Sequence, residues 1–315
     1  MKELNVRKIA IIGCGFVGSA SAFAIMQSGL FSEMVLIDMN RTKAEGEALD
    51  ISHGLPFAKP MRIYAGDYDD ISDASIIIVT AGAGQKPGET RLDLVKKNIA
   101  VFRSIIPEIA KRNSDAILLV VANPVDILTY AAAKLSGYPE SRVFGTGTVL
   151  DTARLKYLIG EHLGVDPRTV HAFIIGEHGD SEIVAWSSAN ISGVPLKDFC
   201  EMRGHYDHEI AMYELADGVK NSAYEIIEKK SATYYGIAMS VRRVCEAIVR
   251  DEKTILAVSS IHHGDYGLTD VALSLPAIVG KNGVESLVPI QLNDLELNTL
   301  QLSAETLKSV IAESF

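Results

Sequence analysis

An α/β fold, with a doubly wound parallel sheet in the first half and an α+β second half, is what the sequence predicts, on three observations. Short apolar runs alternate with helical segments from residue 8 to residue 145. Those runs are rich in β-branched residues and show little polar alternation, the pattern of strands covered on both faces. After residue 147 the alternation stops, and helices and hairpin-forming strands follow in blocks.

The first strand is Lys8-Ile9-Ala10-Ile11-Ile12, and Gly13-Cys14-Gly15-Phe16-Val17-Gly18 follows it at once. This fits G-x-G-x-x-G. The first glycine permits a tight turn, the second lets backbone approach a pyrophosphate, and the third lets helix pack on strand. Residues 17–27 are expected as the helix whose N-terminal amides would face phosphates, with Gly29 as its stop. A second strand, residues 34–37, ends at Asp38, 20 residues after Gly18. That is the offset at which a carboxylate reaches an adenosine ribose. A bare glycine motif often serves packing alone; strand before, helix after and acid in place point to a Rossmann dinucleotide site. Asp38 accepts from a free 2′-hydroxyl and repels a 2′-phosphate, which favours NAD, while Arg41 is the one feature that leaves NADP open.

A helix over residues 41–53 ends at Gly54 and Pro56, and residues 62–65 form a third strand. Asp67, Asp69, Asp70 and Asp73 suit a solvated loop and helix cap better than a metal site. Residues 75–80 form a buried strand that leads into Ala81-Gly82-Ala83-Gly84-Gln85-Lys86-Pro87-Gly88-Glu89-Thr90-Arg91. The loop is long for a β-to-α connection and stands where ligands bind in open sheets, so a closing lid and a plain surface connection both remain open. A helix over 92–111, a strand over 116–121, a helix over 127–135 and a strand over 142–145 complete six strands. Asn123 precedes Pro124, which biases it away from helix and permits a cis bond. The N-terminal domain is expected to span residues 1–147 and the substrate domain 148–315.

In the second domain residues 149–163 form a helix that places Asp151 and Arg154 on one face. A strand-like stretch, 170–175, runs into Gly176-Glu177-His178-Gly179-Asp180. Strand pairs are expected around Gly193, helices over 209–229 and 233–250, antiparallel strands over 254–260, 271–278 and 283–288, and a last helix over 303–314. His262-His263 reads as a solvated turn before Gly264.

A net charge of -10 over 315 residues, 48% of them hydrophobic, argues against nucleic acid or an acidic membrane surface as partner. No apolar run reaches membrane-span length, and the N-terminus lacks a signal peptide, so a cytoplasmic location is expected. Three scattered cysteines and eight histidines show no ligand spacing, and no metal is expected.

Five stretches appear in the order found in bacterial L-lactate dehydrogenases: the glycine turn, Gln85 to Arg91, Ala122 to Asp126, Leu150 to Arg154, and Ile175 to Asp180. The resemblance covers nearly the whole chain and is specific for the lactate/malate dehydrogenase superfamily. It implies that His178 exchanges a proton with the substrate, with Asp151 as its partner, so that an i,i+3 ion pair between Asp151 and Arg154 is not the expected picture. Arg154 would grip the substrate carboxylate and Arg91 would polarise the carbonyl. Asn123 would bond near the substrate oxygen and nicotinamide, and Thr233 and Ile237 would line the pocket. Gln85, uncharged where malate-specific relatives carry arginine, would select pyruvate over oxaloacetate. The resemblance also implies a homotetramer activated by fructose 1,6-bisphosphate through Lys156 and His171. Lys156 departs from the usual arginine, so a surface lysine and a core histidine remain the alternative.

Overall fold

The structure, a computed structural model, describes residues 4–84, 88 and 90–315, with backbone alone at residue 91. The first half runs β1 (Asn5–Ile12), α1 (Phe16–Ser28), β2 (Glu33–Ile37), α2 (Arg41–Ser52), β3 (Arg62–Ala65), β4 (Ala74–Val79), α3 (Arg91–Arg112), β5 (Ile117–Val120), α4 (Val125–Ser136) and β6 (Val143–Gly145). All six strands are parallel, in the order β3-β2-β1-β4-β5-β6. The chain reverses direction of travel across the sheet between β1 and β4, so a crevice opens beyond their carboxyl ends. The apolar runs explain the burial: Ile9, Ile11, Ile76, Ile77 and Ile78 are all at 0% exposure, since helices cover both faces. Each such side chain contributes about 1.5–3 kcal/mol relative to exposure.

The second half continues with α5 (Val149–Leu163), β7 (Val170–His171), β8 (Ile174–Ile175), β9 (Ile183–Val184), β10 (Asn190–Ile191), β11 (Val194–Pro195), α6 (Leu196–Met202), α7 (His208–Lys230), α8 (Tyr235–Val249), β12 (Thr254–His263), β13 (Thr269–Gly280), β14 (Gly283–Leu287) and α9 (Asp294–Ser314). The three long antiparallel strands do not make a separate sheet. β12 joins β6 through Ser259 and Gly145, extending the parallel sheet to nine strands. The contact is close because residue 145 is glycine: a Cβ there would sit 2.4 Å from Thr129 Oγ1.

Several expectations need correction. His262 and His263 belong to β12, and His262 is buried with its ring Nε2 donating to Leu273 O at 3.0 Å. A long strand whose inward positions continue to its last turn overrides the local polarity of two histidines. The stretch 170–175 is broken into β7 and β8, which pair in different small sheets. α9 starts at Asp294 rather than 303, because Asn293 and Glu296 form a reciprocal cap. Thr233 precedes α8 instead of starting it. Among the described residues no helix is long and apolar enough to cross a membrane.

Candidate active site

The glycine turn shows which of its residues serve packing and which stand open. Gly13 has φ +102°, and a Cβ on it would lie 2.6 Å from Ala81 N. A Cβ on Gly18 would lie 1.9 Å from Gly13 O, so helix α1 sits against the turn only because residue 18 has no side chain. Around Gly15 a Cβ would meet nothing within 4 Å. Gly15 is the N-cap of α1 and supplies no side-chain cap, which leaves the first amides of a 13-residue helix facing that open ground. Asp38, at the end of β2, accepts from Cys14 N at 2.7 Å and from Asn40 N at 2.8 Å, which fixes its carboxylate beside the turn. Phe16 is exposed and stacks on Tyr234 at 5.4 Å, while Val17 packs against the core. Open ground for a phosphate, helix amides aimed at it and an anchored carboxylate fit a dinucleotide. Cys14 lies within the turn, but burial, then Asp38, pushes its thiol up to about 12, so it is inert.

Beyond the strand ends lies a cavity of about 450 Å³. Its lining includes Asn123 and Pro124 after β5, Asp151 and Arg154 from α5, and His178 from the loop after β8. The side chain of Asn98, buried on α3, ties two of these loops together: it accepts from Ala83 N at 2.7 Å and donates to Asn123 O at 2.8 Å. The Asn123–Pro124 bond is cis, as the dipeptide allows.

Asp151 is 2% exposed and holds two partners, one on each oxygen. Oδ2 meets His178 Nδ1 at 2.6 Å, and Oδ1 accepts from Arg154 Nη1 at 2.9 Å. The ion pair that the sequence reading set aside is therefore present. Both pairings coexist because a carboxylate has two acceptor oxygens and a guanidinium five N–H donors. Burial raises the Asp151 pKa and the two cationic neighbours lower it further, so the net shift is downward and the group stays ionised. For His178 burial again opposes charge, but Asp151 outweighs it and the ring is raised to about 9. A ring held through Nδ1 leaves Nε2 for chemistry.

Chain order did not bring out four neighbours of this pair. Asp126, named in the sequence only as part of a motif, is buried and accepts from the backbone N of His178 at 2.7 Å. Glu182 lines the cavity four residues beyond His178. Lys220 and Tyr224 come from α7, and Tyr224 Oη donates to Asp180 at 3.0 Å. Helical spacing over α7 was legible, but not which face would meet a loop some 40 residues away. Thr233 is half-buried and, like Ile237, is not among the residues lining the cavity. Lys156 is half-buried, with its pKa lowered by burial, and His171 is exposed on β7, the reverse of a surface lysine and a core histidine. Gln85 and the side chain of Arg91 lie outside the described residues; α3, which begins at residue 91, is set by Thr90, whose hydroxyl accepts from Asp93 N at 3.1 Å.

A family model described as the lactate/malate dehydrogenase NAD binding domain matches residues 7–145, and one described as the lactate/malate dehydrogenase alpha/beta C-terminal domain matches residues 148–315. The chain is 55% identical over 306 residues to an L-lactate dehydrogenase of Acetivibrio thermocellus, covering 97% of this chain and 96% of that one. It is 54% identical to L-lactate dehydrogenase 1 of Clostridium acetobutylicum over 98% of each. Among solved structures, the minor L-lactate dehydrogenase from Enterococcus mundtii in its ligands-bound form superposes with a TM-score of 0.95 at 45% identity over 98% of both chains.

Proposed function

The chain belongs to the lactate/malate dehydrogenase family, and from that premise we propose how its residues divide the work of the NAD-dependent L-lactate dehydrogenase reaction. NAD is the cofactor, which Gly13, Gly15, Phe16, Val17 and Gly18 would hold, with Asp38 available to its ribose; when bound it would supply the hydride for pyruvate and accept it from L-lactate. Residues 1–147 form the cofactor unit and 148–315 the substrate unit in this reading.

The single observation that carries the division is the 2.6 Å contact of Asp151 with His178 Nδ1, in a cavity that Arg154 also lines. As the keto oxygen gains charge, His178 Nε2 gives it a proton; in the other direction the same nitrogen removes the proton from the lactate hydroxyl. Asp151 fixes the ring's tautomer and steadies the imidazolium. Arg154 keeps one arm on Asp151 and turns its remaining N–H groups to the substrate carboxylate, a geometry lysine lacks. Asn123, whose backbone carbonyl accepts from Asn98, bonds near the substrate oxygen and nicotinamide. Arg91 polarises the carbonyl, and Gln85 leaves room for a methyl while offering no countercharge to a second carboxylate, whose burial would cost several kcal/mol.

The chain assembles as a homotetramer in this reading, with fructose 1,6-bisphosphate held at a subunit interface by Lys156 and His171. It works in the cytoplasm, where fermentative glycolysis regenerates NAD⁺. An NADH absorbance assay with pyruvate, oxaloacetate and 2-oxoisocaproate tests the substrate: pyruvate should be preferred. Gln85→Arg should move kcat/KM toward oxaloacetate, and an unchanged ratio would refute the role of Gln85.

A further inference from the structure

Glu182 lies just before β9, half-buried, and lines the same cavity as His178. One of its carboxyl oxygens, a carboxyl oxygen of Asp151 and a ring nitrogen of His178 lie within 4.8 Å of one another. A carboxylate at that range favours a charged imidazole and disfavours a second carboxylate. The other charges around the ring are Asp151 and Arg154 on α5, Asp126 on α4 with Glu177 beside it, Asp180 in the ring's own loop, and Lys220 on α7. Asp151 is committed to the ring and to Arg154 together. Asp126 spends one oxygen on the backbone of His178, and burial raises its own pKa to about 6. Glu182 lines the cavity beside the ring with its carboxylate within 4.8 Å of both Asp151 and His178.

We propose that Glu182 is a positioning residue for the catalytic proton: its carboxylate, beside His178, adds to the hold of Asp151 on the ring and raises the pH at which the imidazole gives up that proton. Burial, then Asp151, raises Glu182 to about 8, while His178, Arg154 and Lys220 oppose the rise. Ionised Glu182 and the charged ring favour each other, so the carboxylate makes the ring hold its proton longer. The two groups titrate as a pair. Equilibrium between lactate and pyruvate is untouched; what moves is the pH window in which neutral His178 is available to take the hydroxyl proton of lactate.

The test compares the enzyme as it stands with Glu182→Gln and Glu182→Asp. It rests on the lactate dehydrogenase reading for one arm only, the pH profile of kcat/KM for L-lactate with NAD⁺, whose acid limb reports the ring. In the Gln variant that limb should move down by roughly one pH unit, and in the Asp variant by less. The second arm follows the His178 ring carbon by NMR across pH with no substrate present, assigned by a His178→Asn control, and the ring pKa should fall in the Gln variant. A chain that turned over neither lactate nor pyruvate would sink the functional reading, yet the NMR titration would still decide the role of Glu182. A ring pKa unchanged by Glu182→Gln, or lowered equally by both variants, would overturn the inference.

Discussion

Asp151 is shared by two cations, and this makes it the residue whose charge matters most. Replacing it with asparagine keeps the size and leaves the ring without its counter-ion. The His178 pKa, raised to about 9 beside Asp151, should then fall back toward the ordinary histidine value of 6.5. Pyruvate reduction needs the charged ring, so its alkaline range should shrink. In the present enzyme kcat/KM for pyruvate should hold up to about pH 9 and fall above it, whereas Asp151→Asn should begin to fall near neutrality. At the optimum the loss should be about 10²- to 10⁴-fold, as for other removals of an acid–base partner. A pH–rate profile measures both; an alkaline limb unmoved by the substitution would show that Asp151 does not govern the ring.

The glycine turn separates packing from binding at the level of one strand–turn–helix element. Gly18→Ala drives a methyl to 1.9 Å from Gly13 O, so α1 must lift from β1. Overpacking of this kind costs about 3 kcal/mol, a fall of roughly 5–10 °C in Tm for a chain of this size. Gly15→Ala adds a methyl to open space at φ -74°, where alanine is comfortable. Its Tm should hold within about two degrees while the Kd for NADH rises roughly tenfold, about 1.4 kcal/mol. Thermal melts and fluorescence titrations of the two variants check this, and a Gly15→Ala protein that bound NADH normally would contradict the seat assigned to the cofactor. The same element shows why so much was legible in the sequence. Strand, turn, helix and acid are contiguous, and each has a local physical signature: unalternating β-branched residues, required glycines, a carboxylate at a fixed offset. Where local signature and long-range packing conflict, the reading failed. His262 and His263 look like a turn until β13 pairs with them. Asp126 and Glu182 carry no sign that they meet His178, because α4 and the loop before β9 come together only through the folded chain.

On the scale of the whole molecule, α1 and α8 pack on each other yet leave Phe23 half exposed and Tyr235 and Met239 more than half exposed. Lys156 sits half-buried on α5 two residues past Arg154, and burial lowers its pKa, so its charged form is destabilised where it stands. On the proposed activator reading, a phosphate arriving there would restore a counter-charge and relieve that cost, which would couple the binding of an anion to the state of the helix that carries Asp151 and Arg154. Coupling of this kind is worth about 1–3 kcal/mol, or 5- to 150-fold in affinity. Saturating fructose 1,6-bisphosphate should therefore lower the KM for pyruvate by a factor in that range and shift sedimentation toward a tetramer. Lys156→Ala should abolish both responses, while Lys156→Arg, which supplies a fork to the phosphate and keeps its charge when buried, should reach half-activation at lower activator concentration. If neither KM nor sedimentation responds to the bisphosphate, then Lys156 and His171 do not form an activator site, and the half-burial of Lys156 belongs to the packing of α5 alone.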